Sequence, residues 1–146
     1  MRTIFLSYRR DDSEAICMRM DAALKARFGA ERVFRDVSSI EISSTFRRDI
    51  SYALQNCTVA FILIGPDWLD IEEADNPGHR RLDNPDDLVR IECEYVLQNN
   101  KRVIPVLLNG TRMPPANRLP SRAPTWIATS YGFRRIGWLP RRGLSY

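Results

Sequence analysis

Blocks of apolar and polar positions alternate along the first two thirds of the chain and predict strands and helices by turns. An apolar, β-prone run at residues 3–8 predicts a first strand. A helix with an apolar face follows it, with Ser13 as a candidate cap and Gly29 as a candidate stop. The apolar residues predicted on that face are Ile16, Met20, Ala23 or Leu24, and Phe28.

The middle of the chain continues this alternation. Residues 33–37 predict a second strand, and residues 38–44 predict the loop after it. Apolar residues at helical spacing then predict the core face of a second helix: Phe46, Ile50, Ala53, Leu54 and Cys57. The continuous apolar run at residues 58–64, which Gly65 and Pro66 end, is typical of a central parallel strand covered on both faces.

A third helix is predicted to begin near Asp86 and Asp87, whose carboxylates suit a helix N-terminus, and to end at about Asn99. Its predicted buried residues are Val89, Cys93, Val96 and Leu97. Residues 103–108 predict a fourth strand. The order of elements predicts an α/β fold, a doubly wound, flavodoxin-like parallel sheet of four to five strands in a single domain with right-handed crossovers.

Two segments depart from the alternation. Residues 65–85 form a polar connection that is longer than a compact domain normally tolerates, which favours a lid or a binding loop. Beyond Gly110 the pattern fails, although residues 125–133 could supply a fifth strand. We therefore divide the chain into an α/β domain at residues 1–110 and an Arg/Pro-rich C-terminal segment at residues 111–146.

The charge is distributed unevenly over the 146 residues, whose formal net charge is +4. Residues 111–146 contain seven arginines and no acid, whereas residues 1–110 hold 13 Arg, two Lys and 18 acids, a balance of −3. The basic segment could attract nucleic acid, but a solvated terminus is the preferred interpretation. A nucleic-acid partner is therefore not predicted.

Membrane, metal and secretory classes are disfavoured. No apolar run approaches the length of a membrane span, and the N-terminus lacks the apolar stretch of a signal peptide. Cys17, Cys57 and Cys93 form no CxxC pair and are odd in number, which predicts buried thiols and a reducing, cytoplasmic setting. His79 is the single histidine, so no His-rich zinc site is possible. Trp68 is predicted to pack in the core.

The carboxyl ends of the parallel strands are where such sheets bind ligands, and polar segments meet there in this chain. Glu92 lies in the predicted third helix about 100° from Cys93, with Leu88 and Tyr95 on either side. That environment predicts partial desolvation, which raises the pKa of a carboxylate. Two interpretations stay open from the pattern alone, a functional carboxylate and a solvated glutamate paired with an arginine.

Two other doubly wound classes are disfavoured by the residues at the strand ends. A phosphate-binding Rossmann site needs glycines directly after the first strand, and the chain has none before Gly29. A phospho-receiver domain needs an aspartate at the end of the third strand, where this chain has Ile64, Gly65 and Pro66.

Residues 4–10, Ile-Phe-Leu-Ser-Tyr-Arg-Arg, resemble the opening box of Toll/interleukin-1 receptor (TIR) domains. Residues 34–46 are similar to the second strand and BB loop of that family, and residues 60–68 and 88–107 match later motifs in the same order. The resemblance covers residues 3–113. It points most closely to the bacterial members and to the NAD-cleaving TIR domain of neurons.

The resemblance implies roles for particular residues. The catalytic glutamate of the enzymatic branch, which follows a tryptophan by four residues, matches Glu92, with Leu88 in place of the tryptophan. The NAD contacts of the family fall on Tyr8, Arg9 and Arg10. Further matches are Asp36 before the BB loop, and Ser39, Ile40, Glu41, Ile42 and Ser43 within that loop, through which TIR domains self-associate.

The function that the resemblance implies is an NAD glycohydrolase. It would cleave the nicotinamide–ribose bond to give nicotinamide plus ADP-ribose or a cyclic isomer, with NAD as substrate and neither metal nor cofactor. Activity would depend on self-association with other TIR domains, in bacterial antiphage defence or immune-type signalling. The BB loop has Ile40, Glu41, Ile42 and Ser43 where many relatives carry a Pro-Gly pair. The alternatives are a non-enzymatic TIR scaffold, which this altered loop and Leu88 favour slightly, and an enzyme of the nucleoside deoxyribosyltransferase class.

Overall fold

Four of the apolar runs form one parallel sheet. The computed structural model describes residues 2–35 and 44–120. The strands and helices in chain order are β1 (Ile4–Ser7), α1 (Arg10–Phe28), β2 (Val33–Arg35), α2 (Ser44–Asn56), β3 (Val59–Ile64), β4 (Glu72–Glu73), β5 (Asn76–Arg80), α3 (Leu88–Gln98) and β6 (Arg102–Leu107). The sheet has the order β2-β1-β3-β6, and β4 and β5 form a separate antiparallel hairpin.

The strand order reverses between β1 and β3. From β1 the chain moves outward to β2, and it then returns to place β3 on the other side of β1 and β6 beyond it. All neighbouring pairs are parallel, with Phe5 opposite Phe34 on one side and opposite Ala60 on the other. In sheets of this kind, ligand sites lie outside the carboxyl ends of the strands at this reversal. The fold therefore directs attention to the residues that follow β1.

Alternating side chains of β1 and β3 point to opposite faces of the sheet, and each face has its own core. On one face, Phe5 and Ile62 pack with α2 and α3. On the other face, Leu6 and Leu63 pack with α1, where Cys17 is buried. Helices on both faces confirm the doubly wound arrangement that the apolar pattern predicts.

The predicted start of α3 is confirmed, whereas that of α1 is wrong. Asp87 is the N-cap of α3, and its carboxylate accepts a hydrogen bond from the backbone N–H of Arg90 at 3.1 Å. α1 begins at Arg10, with Arg9 at the N-cap position. Ser13 lies inside the helix. Its hydroxyl donates back to the carbonyl of Arg9 at 2.9 Å and does not cap an N–H group.

The predicted core face of α1 is also wrong at one end. Phe28 is 45% exposed at the end of the helix. Cys17 and Asp21 are buried instead. The carboxylate of Asp21 forms ion pairs with Lys25 at 2.9 Å and with Arg35 at 3.4 Å. An ion pair toward β2 thus takes the place of an apolar contact.

The long connection between β3 and α3 is folded. It holds the β4–β5 hairpin, and the buried Trp68 at its start belongs to the core, as predicted. Within the described residues, Arg80 ties the hairpin to the following turn through a fork of hydrogen bonds to Asp83 at 2.7 and 2.8 Å. A structured hairpin explains how the domain accommodates a connection of this length.

Several other predictions concern buried thiols and undescribed positions. Cys17, Cys57 and Cys93 are free and buried, as predicted, and His79 is exposed. In the described part of the chain, no helix combines the length and apolar character that crossing a bilayer requires. The predictions for Asp36, for the BB-loop residues from Ser39 to Ser43 and for residues 125–133 lie outside the described residues.

Candidate functional site

An open pocket of about 490 Å³ lies at the carboxyl edge of the sheet, beside the strand-order reversal. Its walls come from the chain after β1, from the β4–β5 hairpin and from the N-terminal turn of α3. The residues that line it are Tyr8, Arg9, Arg10, Asp11, Glu73, Ala74, Asp75, Asn76, Arg81, Asn84, Asp86, Asp87, Leu88 and Val89. A site at this edge is what the topology predicts.

Four residues of the predicted substrate contacts meet at this pocket. Tyr8, Arg9 and Arg10 enter it from the end of β1, and Leu88 enters from α3. The structure thus brings together side chains that are about 80 positions apart in the sequence. Whether they bind NAD stays a prediction.

Arg9 forms a buried ion pair with Asp87. Its guanidinium donates a fork of hydrogen bonds to Asp87 at 2.8 and 2.9 Å, and its Nε donates to the carbonyl of Trp68 at 3.3 Å. The guanidinium carbon also lies 6.0 Å from the centre of the Trp68 ring, which is a cation–π distance. Arg9 is only 3% exposed, so this side chain joins β1 to α3.

Asp87 serves both that ion pair and the helix. Both of its oxygens accept from Arg9, and Oδ2 also accepts the N–H of Arg90 as the N-cap of α3. A carboxylate at this position is favoured by the helix dipole as well. The start of α3 is therefore held against the end of β1.

Glu92 lies on α3 one turn after Leu88, next to Ser7 at the end of β1. The hydroxyl of Ser7 donates to Glu92 Oε2 at 2.6 Å, and both residues are 1% exposed. Glu92 is thus buried and bonded to a serine, whereas the alternative interpretation placed it in solvent beside an arginine. It does not line the open pocket in this conformation. We call Ser7, Arg9, Asp87 and Glu92 the inner polar cluster.

The inner polar cluster affects the thiol next to it. Burial, and after it the negative charge of Glu92, raise the pKa of Cys93 well above its usual value. The thiol is therefore held in its protonated, unreactive form. This assigns Cys93 to packing and leaves Glu92 as the candidate for chemistry on α3.

Asp12 is a second carboxylate at the same edge, and the sequence analysis missed it. Both of its oxygens are buried, and burial raises the pKa of this carboxyl, with the nearby charge of Asp67 adding to the effect. Asp12 lies so close to Gly65 that a Cβ there would be 2.5 Å from Oδ2. The glycine that ends β3 makes room for it.

Acidic side chains line the hairpin side of the pocket. Glu73, Asp75 and Asp86, which we call the acidic wall, face the pocket from the hairpin and from the approach to α3. Glu73 accepts a short hydrogen bond from the side chain of Asn84, and Asp75 and Asp86 are exposed. The sequence analysis did not select these residues, although a run of acids at positions 70–75 was a usable signal.

The described residues contain no cluster of three or more His, Cys, Asp or Glu side chains arranged to hold a metal ion. The groups at this edge that can take part in chemistry include carboxylates, arginines and a serine hydroxyl. Among these, Glu92 is the most deeply buried acid.

Comparison with known proteins agrees with this fold. A sequence model of the TIR domain family matches residues 4–135. The TIR domain of the Toll-related receptor TRR-2 from Hydra magnipapillata is similar over 78% of this chain and 76% of that one, with 16% identity and a TM-score of 0.47. The TIR domains of the activated Roq1 resistosome, which directly recognises the pathogen effector XopQ, are similar over 88% and 70% of the two chains, with 15% identity and a TM-score of 0.50. No curated protein matches the chain.

Proposed function

The chain belongs to the TIR domain family, and on that premise we propose that it is an NAD glycohydrolase of the bacterial, NAD-cleaving type. It would release nicotinamide and form ADP-ribose or a cyclic isomer of it. We further propose a role in antiphage defence or immune-type signalling in the cytoplasm, a setting that the three free cysteines support.

The observation that carries this proposal is the position of Glu92. A carboxylate that is 1% exposed and bonded to Ser7 at 2.6 Å lies behind the strand end that also supplies the wall of the pocket. Buried carboxylates are costly unless they are paired or have a task. Its place on α3 matches that of the catalytic glutamate which the sequence resemblance implies.

The chemistry needs only one carboxylate. When the nicotinamide–ribose bond breaks, its electron pair stays on the nicotinamide nitrogen, which becomes neutral, and positive charge develops on the ribose. A carboxylate beside the ribose stabilises that charge. For ADP-ribose, water then supplies the oxygen that bonds to the anomeric carbon and gives its proton to solvent. For a cyclic isomer, a nucleophilic atom of the same molecule forms that bond in place of water. No acid is needed for the leaving group, since nicotinamide in NAD is already cationic.

Access to Glu92 requires a change in the pocket floor. The carboxylate lies beneath the lining residues, one turn beyond Leu88. We propose that self-association opens this floor and completes the site with the BB loop of a neighbouring copy. TIR domains are found in the activated Roq1 resistosome, an assembly, which supports this part of the proposal.

The NAD contacts are divided between two kinds of residue in this proposal. Tyr8, Arg10 and Leu88 contact the substrate, together with Asp36, whose role rests on the sequence resemblance. Arg9 acts as a positioning residue, because its donors are directed to Asp87 and Trp68. It holds α3, and through it Glu92, against β1.

The test is nicotinamide release from NAD by the purified protein at high concentration, alone and tethered into oligomers. We expect Glu92→Gln to lower the rate about 100-fold or more, because the substitution keeps the hydrogen bond from Ser7 and removes the charge. Glu94→Gln is the matched control on the same helix, since Glu94 pairs with Arg90 at 2.9 Å outside the pocket. Equal release by the wild type and Glu92→Gln, or no release by either when tethered, rejects the enzyme.

A non-enzymatic TIR scaffold is the second candidate. It is favoured by the absence of Glu92 from the residues that line the described pocket, since an acid held by Ser7 can serve the packing of α3 alone. A scaffold would assemble with increasing concentration, show no NAD turnover and be insensitive to Glu92→Gln. Assembly measured by light scattering beside the nicotinamide assay separates the two candidates.

A further inference from the structure

The β4–β5 hairpin forms a wall of the pocket but contributes little to the core. Residues 73–76, from the hairpin and its turn, line the pocket. The two apolar clusters of the described residues include Trp68 before the hairpin and Leu82 after it, but no residue from 72 to 80. Most residues of the hairpin are exposed. The position of this wall therefore depends on polar contacts at the base of the hairpin.

Arg118 contacts both ends of the hairpin. Its guanidinium forms an ion pair with Asp70, which precedes β4. Its backbone carbonyl accepts a hydrogen bond at 2.9 Å from the guanidinium of Arg80, the last residue of β5. Between these points the N–H of Arg81 donates to the carbonyl of Ile71 at 2.8 Å and closes the base of the hairpin. A single residue thus joins the chain that enters the hairpin to the chain that leaves it.

Buried residues lie on both sides of Arg118. Pro114 is buried, and Leu119 is 9% exposed and belongs to the apolar cluster on the face of the sheet that α2 and α3 cover. A short 3₁₀ turn, Ala116–Arg118, lies between these two residues. We call residues 114–119 the clasp. Leu119 fixes the clasp to the core, and Arg118 fixes the hairpin to the clasp.

The contacts of the clasp differ in strength. The side chains of Arg118 and Asp70 are 47% and 55% exposed, and ion pairs of this kind are weak and screened by salt. Burial of the Leu119 side chain is a stronger, apolar contribution that salt does not screen. Because these contacts are few and lie outside the paired strands of the sheet, the clasp can detach while the sheet stays folded.

Other contacts hold the chain after the hairpin. The exposed ion pair of Arg81 with Asp11 at 2.8 Å links this chain to α1. Arg90 on α3 donates to the backbone carbonyl of Asp83 at 3.0 Å. Neither contact involves the clasp. Release of the clasp therefore frees the hairpin without unfolding its connection to α3.

We propose that the clasp is a conformational switch for the pocket wall. When the clasp is seated, the hairpin is held at the edge of the pocket. When the clasp detaches, the hairpin moves and displaces the wall that residues 73–76 form. A ligand or partner that binds one position better shifts the equilibrium by the ratio of its two affinities. The switch is independent of the proposed glycohydrolase function, because it concerns the position of the wall and no particular ligand.

The first test is native-state hydrogen exchange, measured by NMR at several low denaturant concentrations. The reporter is the N–H of Arg81, whose bond to Ile71 closes the base of the hairpin. We expect this amide to exchange through a local opening with little dependence on denaturant, and Leu119→Ala to speed its exchange about tenfold. Exchange that has the same denaturant dependence as β3, or that Leu119→Ala does not speed, overturns the proposal.

Substitutions at the ion pair measure its share. Arg118→Gln should speed the same exchange about twofold, and Asp70→Asn should add little to it, because both remove one ion pair. At high salt the effect of Arg118→Gln should disappear. Arg112→Gln is the matched control, since Arg112 is exposed on the same stretch and forms no ion pair among the described residues. An equal effect of Arg112→Gln, or fully additive effects at the ion pair, contradicts its role in the clasp.

The last test measures the position of the wall itself. Spin labels on Asp75→Cys and Met18→Cys report the distance from the hairpin turn to α1, because both positions are exposed and the three native cysteines are buried. We expect a narrow distribution of distances in this labelled protein and a broader one when Leu119→Ala is added. Arg112→Gln should leave the distribution unchanged. An equally narrow distribution with Leu119→Ala shows that the wall does not depend on the clasp and overturns the proposal.

Discussion

Two groups of charged side chains lie at one edge of the sheet. One group is buried and bonded within the protein, and the other faces the open pocket. In the inner polar cluster, Arg9 and Asp87 form a forked ion pair, and Ser7 bonds to Glu92. In the acidic wall, Asp75 and Asp86 are exposed and unpaired among the described residues. Asp87 lines the pocket but belongs to the first group, so the boundary between the two groups falls between Asp86 and Asp87, directly before α3.

The difference shows what each group can do. Buried charges must be satisfied within the protein, so they fix the positions of β1 and α3 and have little freedom to meet a ligand. Exposed carboxylates contribute little to stability, but they set the potential that an entering ligand experiences. Apart from Glu92, to which the proposed function gives a role in the chemistry, the inner polar cluster is therefore expected to control folding, and the acidic wall the potential at the pocket.

The most damaging change should be Arg9→Ala. It leaves Asp87 without its ion pair and Trp68 without its cation, and we expect a loss of about 3–5 kcal/mol in the free energy of unfolding. Chemical denaturation measures it. Arg10→Ala is the neighbouring control, because the exposed pair of Arg10 with Glu14 is worth about 0–1 kcal/mol. Similar losses for both variants would contradict the division between the two groups.

Ser7→Ala should have the next largest effect. It removes the donor to a carboxylate that is fully buried, and we expect a loss of about 1–3 kcal/mol. A double-mutant cycle with Glu92→Leu, which has no acceptor for the Ser7 hydroxyl, measures the coupling between the two side chains by denaturation. Additive losses would show that the 2.6 Å contact contributes nothing of its own.

Asp12→Asn should stabilise the protein, by about 1 kcal/mol at pH 7. Burial raises the pKa of Asp12 in the folded state above its usual value of 3.8, so the wild type loses stability as the pH rises from 3.8 through the folded pKa. The variant lacks this loss. Thermal unfolding at pH 3 and pH 7 should therefore show a larger gain at pH 7, and an equal or smaller gain there contradicts the assignment.

The smallest change in stability is expected from Asp75→Asn in the acidic wall. The side chain is exposed and makes no ion pair among the described residues, so unfolding should shift by no more than about 0.5 kcal/mol. A large loss of stability would mean that the acidic wall is also structural.

The strands of the sheet and the helices that pack on it were predictable because the sequence patterns that indicate them are local. The apolar run of β3 and the aspartates before α3 identify these elements without any tertiary information. The start of α1 was not predictable, because the sequence around Ser13 is equally compatible with a helix cap and with a hydrogen bond back to Arg9. The β5 sequence Asn-Pro-Gly-His-Arg carries no apolar alternation, so the hairpin gave no strand signal.

Some residues of the candidate site were predictable from the sequence, but their contacts were not. The position of Glu92 on the shoulder of α3 follows from helical spacing, whereas its complete burial depends on Ser7, which is 85 positions away. In the same way, the family resemblance made Arg9 a predicted substrate contact, and its ion pair with Asp87, 78 positions away, was not visible in the sequence. Long-range pairing decides which charged side chains remain available to a ligand.

The buried thiols provide a set of natural reporters for local opening. Cys17 lies in α1, Cys93 lies in α3, and Cys57 follows the last turn of α2. A buried thiol reacts with an alkylating reagent only after its surroundings open. Mass spectrometry of timed alkylation would thus follow each helix separately without an engineered label, and faster modification of Cys93 on oligomerisation would show movement of the helix that carries Glu92.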